Sequence, residues 1–203
     1  MQFDFIIYTL YSVSMTETII QTSSNKKIVV IDNCFNFSEL AGIYTGLISL
    51  PFKISNSNAA EVQDIKDRRL VSYIDSNALT TMGFFSDSKL EMLKRHVSDD
   101  FKIFNSYVNL GIRGDQHEAH SDYYWKDGGK TLLLYANKEW DRNWGGETVF
   151  FDDKGVEIEY VTPFIPGRIV IFDSDIPHMA KEQSSLGPSF RFTLAIKFVK
   201  NNI

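Results

Sequence analysis

The chain has 203 residues, of which 43% are hydrophobic and 23% charged, and this is the composition of one globular domain rather than of a disordered or fibrous chain. The formal net charge of -5 and the lack of a basic patch argue against a nucleic-acid partner. Cys34 is the only cysteine, which excludes an intrachain disulfide and cysteine-based zinc sites and leads us to expect a cytoplasmic protein.

The N-terminal stretch from Phe3 to Val13 is apolar and aromatic, but it is too short to cross a bilayer and lacks the basic start of a secretory signal. We therefore expect neither export nor membrane attachment. A more ordinary sequence begins at Met15, so residues 1–14 are expected to lie outside the fold. We predict an N-terminal extension over residues 1–26 and a single domain over residues 27–203.

The first predicted elements of the domain are a strand and a helix. Lys27 to Asp32 is a β-branched run followed by a turn residue, which is typical of a buried strand. The segment from Phe37 to Ile48 has apolar residues at helical spacing, with Ser38 as the predicted N-cap, and Pro51 ends it. The apolar face of this helix is predicted to contain Leu40, Ile43, Tyr44 and Leu47.

A polar stretch from Ser55 to Asp67 predicts a surface loop, followed by a short strand from Leu70 to Ile74. A second amphipathic helix is predicted from Ser86 or Asp87 to about Val97. His96 lies in its last turn, where a histidine favours the helix dipole, so we expect His96 to be an exposed residue and not a metal ligand.

From Phe101 onward, short strands alternate with glycine-containing turns, which is typical of a sandwich or jelly roll. The predicted strands cover residues 102–110, 130–136, 148–151, 156–161, 168–172 and 190–199. The chain is therefore predicted to be an α+β protein, mainly β, with a jelly-roll core over about residues 101–200 and supporting N-terminal helices.

Three side chains could bind a metal ion together. His120 and Asp122 are two residues apart, so on an extended segment both point to the same side. His178 follows the predicted strand at residues 168–172 by a short acidic turn. Two histidines and one carboxylate form the ligand set typical of non-haem iron(II) oxygenases, which leaves coordination positions open for other ligands. His117 and Glu118 are close by in sequence, but we do not expect them to be ligands.

The last predicted strand alternates strictly. Its apolar residues share one face, whereas Arg191 and Thr193 share the other. A guanidinium forms paired hydrogen bonds with a planar carboxylate, and a hydroxyl two residues away adds one more, so this pair suits a carboxylate inside a β pocket. The alternative is an edge strand with a solvated arginine.

These residues resemble the 2-oxoglutarate/Fe(II) oxygenases, and within them the prolyl 4-hydroxylase-like branch. The resemblance spans about residues 104–199. The motifs that carry it are His120-Ser-Asp122, Tyr135-Ala-Asn-Lys-Glu-Trp140, Trp144-Gly-Gly-Glu-Thr148, Gly167-Arg-Ile-Val-Ile-Phe172, Pro177-His178 and Arg191-Phe-Thr193.

The resemblance implies a double-stranded β-helix core of the cupin-like type. It implies Fe(II) on His120, Asp122 and His178, and the distal carboxylate of 2-oxoglutarate on Arg191. Tyr135 stands where prolyl hydroxylases have a tyrosine that reaches the same carboxylate, and its strand phase puts it on the pocket side with Leu133. O2 is then a co-substrate, and ascorbate an optional reductant.

This chain departs from the family pattern at two positions. Collagen-type enzymes have a lysine at the position of Arg191, and Lys181 is too close to His178 in sequence to replace it. Leu110 occupies the position at which oxygen-sensing relatives carry a second tyrosine. The substrate is therefore left open between a peptide, with proline as one option, and a small molecule, and the oligomeric state is left open too.

The aromatic run Tyr123-Tyr124-Trp125 either lines a substrate cleft or covers the core.

Two other functions stay possible on the sequence alone. One is a cupin-type metalloenzyme that uses no 2-oxoglutarate, and the other is a non-catalytic jelly-roll binding module. The pairing of Arg191 with Thr193 argues against the first.

Overall fold

The computed structural model describes residues 14–56, 68–85, 87–98, 100–115, 117–122 and 128–201. Three α-helices lie in these residues, α1 (Phe37–Ile48), α2 (Ser76–Thr81) and α3 (Asp87–His96). The strands of the same residues are β1 (Thr16–Gln21), β2 (Lys27–Asp32), β3 (Lys53–Asn56), β4 (Arg68–Tyr73), β5 (Phe101–Ile112), β6 (Gly129–Tyr135), β7 (Thr148–Phe151), β8 (Ile158–Thr162), β9 (Ile169–Asp173), β10 (His178–Ala180) and β11 (Phe190–Lys200).

The strands form two antiparallel sheets. The larger has eight strands in the order β1-β2-β9-β6-β11-β5-β4-β3, and the smaller has three in the order β10-β7-β8. Strand order departs from chain order in both sheets, as it does in a jelly roll. The mainly β fold with a jelly-roll core and a few helices is the predicted fold, which is thereby confirmed.

The large sheet has a different core on each face. One face packs against the three helices, with buried residues such as Ile43 of α1, Leu79 of α2 and Met92 of α3. The other face packs toward the small sheet, where Phe150 of β7 is fully buried against Phe172 of β9. We call these the helix-side core and the pocket-side core.

The alternation predicted for the last strand is confirmed. The helix-side core takes the apolar residues of β11 from alternate positions: Phe192, Leu194, Ile196 and Phe198. Arg191 and Thr193 lie on the opposite face. Strand β11 is hydrogen-bonded to β5 on one side and to β6 on the other, so it is a central strand and not an edge strand.

Strand β6 shows the same division. Leu132 and Leu134 are buried in the helix-side core, whereas Leu133 and Tyr135 are in the pocket-side core, as their phase predicted. Because the side chains of neighbouring strands in register share a face, β6 and β11 together form the floor of one pocket.

Helix α1 has the predicted bounds but a different N-cap. The side chain of Asn36, not Ser38, accepts a hydrogen bond from the backbone N–H of Glu39 at 2.9 Å, and the Glu39 carboxylate accepts one from the N–H of Asn36 at 2.8 Å. This capping box satisfies two backbone donors at the start of the helix. Both Asn and Ser are good caps, so residue type alone did not separate adjacent candidates.

The domain begins before the predicted boundary at residue 27. Strand β1, Thr16–Gln21, pairs with β2 along its whole length and so belongs to the large sheet rather than to an extension. All but one of its residues are exposed, so it lacks the apolar run that identified β2. Helix α2 was also missed, because six residues are too few for a helical period to show.

The prediction that His96 is exposed is wrong. Its side chain is 5% exposed, and Nε2 lies 3.1 Å from Oε2 of Glu17 on β1. The predicted surface loop lies mostly outside the described residues, as does Ser86. None of the helices in the described ranges is long and apolar enough to cross a membrane.

Candidate active site

Two short segments bring the three predicted metal ligands together. The backbone N–H of His120 donates to the carbonyl of His178 at 3.0 Å, and the N–H of His178 donates back at 2.8 Å. The N–H of Asp122 donates to the carbonyl of Ser174 at 2.8 Å. These bonds hold the 120–122 segment against the chain that leads from β9 into β10, so residues far apart in sequence become neighbours.

The potential ligand atoms of His120, Asp122 and His178 all lie within 4.8 Å of one another. Nε2 of His120 is 3.9 Å from Oδ1 of Asp122, and Nε2 of His178 is 3.6 Å from Oδ2. Two nitrogens and one oxygen in this arrangement could bind one metal ion from one side. The predicted proximity of the three residues is thus observed.

Both imidazoles are oriented for metal binding. Nδ1 of His120 lies 3.0 Å from the carbonyl of Glu118, and Nδ1 of His178 lies 3.0 Å from the carbonyl of Ile176. A carbonyl can only accept a hydrogen bond, so Nδ1 donates in each ring and Nε2 is the nitrogen that lies toward Asp122. Hydrogen bonds of this kind fix the ring orientation of metal-binding histidines.

The ionisation states also fit a metal. Burial, partly opposed by the nearby Asp122, lowers the pKa of His178 from 6.5 to about 4, so its imidazole is neutral at physiological pH. Burial alone would raise the pKa of Asp122, but the positive charge of Lys197 and the proximity of His178 bring it well below its usual range. The neutral imidazole of His178 and the ionised carboxylate of Asp122 are the forms in which these groups bind metal ions. A donor set of two histidines and one carboxylate suits Fe(II).

The carboxylate of Asp122 has two further partners. The hydroxyl of Thr131 on β6 donates to Oδ2 at 2.7 Å, and the ammonium of Lys197 on β11 also donates to Oδ2. Sequence reasoning missed both residues. The signal for Lys197 was present, because the alternation that put Arg191 and Thr193 on the pocket face puts Lys197 there too.

Arg191 lies buried at one end of the pocket, with 7% of the residue exposed. Its NH1 group donates to the carbonyls of Gly146 at 2.9 Å and Lys181 at 3.1 Å. Gly146 has φ of +82°, and a Cβ there would come within 3.2 Å of Cδ of Arg191. Glycine therefore lets the backbone approach closely enough to hold the guanidinium, and Lys181 contributes its carbonyl rather than its amine.

Thr193 and Tyr135, the other two predicted co-substrate residues, differ in their access to the pocket. Thr193 lines the pocket. Tyr135 is 1% exposed, and its hydroxyl donates to Oγ1 of Thr148 at 2.7 Å. Burial raises the pKa of Tyr135 to about 12, so its phenol stays protonated. Thr148, which sequence reasoning missed, lines the pocket and lies between Tyr135 and its interior.

The pocket brings the metal-ligand candidates and the carboxylate-binding candidates into one space. Its lining residues include His120, Asp122, His178, Arg191, Thr193, Leu110, His117, Leu133, Thr148, Ala195 and Lys197. His117 also lines the pocket. The aromatic run at residues 123–125 lies outside the described residues.

The pKa of His178 predicts how stability depends on pH. As the pH is lowered, the unfolded chain binds a proton at this histidine near pH 6.5, whereas the folded protein binds it only near pH 4. Between these values the unfolded state binds more protons, so the free energy of unfolding should fall as the pH is lowered, by up to about 3 kcal/mol.

Urea unfolding of chelator-treated protein from pH 7 to pH 4 measures this loss. The variant His178→Asn cannot titrate there and should show a shallower pH dependence than the wild-type protein. Equal slopes in the two proteins would contradict the assignment of the loss to His178.

Comparisons with known proteins agree with this geometry. The model of the 2OG-Fe(II) oxygenase superfamily matches residues 104–197. A sequence comparison with curated proteins finds no match. A prolyl hydroxylase from Trichoplax adhaerens, solved in complex with a hypoxia inducible factor oxygen degradation domain peptide fragment, is 18% identical, with a TM-score of 0.65 over 86% of this chain and 84% of that one.

Two further structures have the same fold. An oxidoreductase of the 2OG-Fe(II) oxygenase family from Burkholderia pseudomallei is 14% identical, with a TM-score of 0.63 over 83% of this chain and 82% of that one. EctD from S. alaskensis, solved with 2-oxoglutarate and 5-hydroxyectoine, is 15% identical, with a TM-score of 0.61 over 86% of this chain and 72% of that one. At such identities the likeness is one of fold.

Proposed function

We propose that this chain is a 2OG-Fe(II) oxygenase, a class of enzyme that requires Fe(II) and 2-oxoglutarate, and that it hydroxylates a C–H bond of a peptidyl or small-molecule substrate. The observation that carries the proposal is that a two-histidine, one-carboxylate cluster and a buried arginine line the same pocket. A metal site alone would also fit a cupin-type enzyme. A buried arginine with a neighbouring hydroxyl adds a place for a second carboxylate-bearing reactant.

In this proposal His120, Asp122 and His178 hold the iron, and three protein ligands leave room for other groups on the metal. When bound, iron supplies the O2 chemistry that couples the decarboxylation of 2-oxoglutarate, to succinate and CO2, with oxidation of the substrate. The protein's own contribution is to keep the imidazole of His178 neutral, to keep the carboxylate of Asp122 ionised and to hold the three side chains in a fixed geometry.

Arg191 and Thr193 hold the distal carboxylate of 2-oxoglutarate. The guanidinium is fixed by the carbonyls of Gly146 and Lys181 before any ligand arrives, so little side-chain entropy is lost on binding. Its burial removes competing water, which strengthens a charge-assisted hydrogen bond. The buried hydroxyl of Tyr135 acts through Thr148, whose orientation it sets.

Two proteins of similar fold were solved with different kinds of bound molecule. The Trichoplax adhaerens prolyl hydroxylase holds a peptide fragment, and EctD holds 5-hydroxyectoine. A peptidyl substrate, with proline as one candidate residue, is the interpretation that the prolyl-hydroxylase-like motifs favour, and a small metabolite is the second.

The proposal is tested by incubating the protein with Fe(II), ascorbate, 2-oxoglutarate and either proline-containing peptides or a metabolite extract. We expect succinate to accumulate together with a product that is one oxygen atom heavier than its substrate, as seen by mass spectrometry. The variant His178→Ala is the matched control and should produce neither.

A binding experiment separates the remaining functions. Mn(II) should raise the melting temperature of the protein, and N-oxalylglycine, an unreactive analogue of 2-oxoglutarate, should raise it further. A response to Mn(II) without a further response to the analogue would indicate a metalloenzyme of another type. No response to either would indicate a binding module without a metal.

A further inference from the structure

Lys197 contacts the proposed metal site, and apart from lowering the pKa of Asp122 it has no part in the function described so far. It lies on β11 in phase with Arg191, and its side chain is only 15% exposed. A lysine is seldom buried this far unless it is paired. Its ammonium contacts Oδ2 of Asp122, and it lies 5.8 Å from the ring centroid of Tyr107 on β5.

The two oxygens of the Asp122 carboxylate have different contacts. Oδ2 accepts hydrogen bonds from Thr131 and from Lys197 and lies 3.6 Å from Nε2 of His178, whereas Oδ1 lies 3.9 Å from Nε2 of His120. Both donors sit on central strands of the large sheet, so neither can move far. Two donors on one oxygen fix the plane of the carboxylate and leave the other oxygen available to a metal ion.

We propose that Lys197 is a positioning residue that holds the carboxylate of Asp122 and cancels its charge before the metal ion binds. This inference rests on the proposed function, because it assumes that Asp122 is a metal ligand. The consequence is a site that binds divalent ions less tightly than its three ligands alone would.

The charges determine whether Lys197 weakens or strengthens metal binding. The charges of Asp122 and Lys197 cancel in their ion pair, whereas Asp122 without Lys197 would keep its full negative charge. A divalent ion in a pocket shielded from water interacts with this charge more strongly than it would in bulk solvent. The hydrogen bond that Lys197 supplies acts in the opposite direction, but Thr131 still holds the same oxygen when Lys197 is replaced.

Metal titration of three variants tests the proposal. Lys197→Met removes the charge, Lys197→Gln removes the charge but keeps a hydrogen-bond donor, and Lys197→Arg keeps the charge. We expect the first two to bind Mn(II) and Co(II) at least about tenfold more tightly than the wild-type protein, and the third to stay within about threefold of it. The absorption spectrum of bound Co(II) should change in Lys197→Met, because the ligand field changes when the carboxylate becomes a stronger donor.

Metal affinity that is unchanged or weaker in both neutral variants would overturn the proposal, as would an unchanged Co(II) spectrum. A purely structural lysine would lower the melting temperature without tightening metal binding. If the wild-type protein binds neither ion, the proposed function itself fails, and this outcome is distinct because the wild-type titration alone reveals it. Lys197→Gln keeps the test decisive if Lys197→Met does not fold.

Discussion

Replacing Arg191 with alanine should raise the concentration of 2-oxoglutarate needed for half-maximal turnover by about 100-fold or more, while Mn(II) affinity stays within about threefold of the wild-type value. The guanidinium is buried and held by two carbonyls, so its loss removes a charge-assisted pair of hydrogen bonds that water cannot replace. Succinate release as a function of 2-oxoglutarate concentration measures the first effect, and metal titration measures the second.

Two variants refine the test of Arg191. Arg191→Lys keeps the charge but loses the forked geometry, and we expect it to lie between the wild-type protein and Arg191→Ala. Thr193→Val removes only one hydroxyl and should raise the 2-oxoglutarate concentration for half-maximal turnover by about tenfold. A 2-oxoglutarate requirement that is unaltered in Arg191→Ala would show that the co-substrate binds elsewhere. Melting temperatures are needed alongside, because the carbonyls of Gly146 and Lys181 lose their donor in Arg191→Ala.

Replacing Asp122 with asparagine should weaken Mn(II) binding by at least about 100-fold and also lower the free energy of unfolding by about 3 kcal/mol. The first effect follows from the loss of the anionic ligand. The second follows from Lys197, which would remain buried with its charge unpaired. Metal titration and urea unfolding of the chelator-treated protein measure the two effects separately.

The double variant Asp122→Asn/Lys197→Met is the control for this prediction. It removes both charges, so most of the lost stability should return, because neutral residues of similar size replace a buried ion pair at little cost. Metal binding should not return. If the double variant is as unstable as Asp122→Asn alone, the pairing with Lys197 does not account for the loss.

The parts of the fold that were predictable are those with a strong local period. Strand β11 alternates strictly, and this alternation is sufficient to assign Arg191 to the pocket face. Strand β1 and helix α2 were missed because one is mostly exposed and the other is short. His96 was wrongly predicted to be exposed, because its burial depends on β1, whose Glu17 lies against the His96 ring.

The sequence was sufficient to predict the candidate ligands of the site. It was not sufficient to predict the residues that hydrogen-bond to them. The spacing of His120 and Asp122, the position of His178 and the phase of Arg191 are visible in the chain. The contacts of Thr131 with Asp122 and of Thr148 with Tyr135 join residues on different strands. Such pairs depend on sheet register, which a single sequence does not display.

Strand β11 carries both the arginine at one end of the pocket and the lysine at the metal end. Lys197 follows Arg191 by six positions, and at about 3.4 Å per residue the backbone sets their Cα atoms about 20 Å apart. Because β11 is hydrogen-bonded on both sides, this spacing cannot adjust to a ligand. We therefore expect substitutions at Arg191 and at Lys197 to act independently of each other, because neither changes the spacing of the strand and the two sites are far apart.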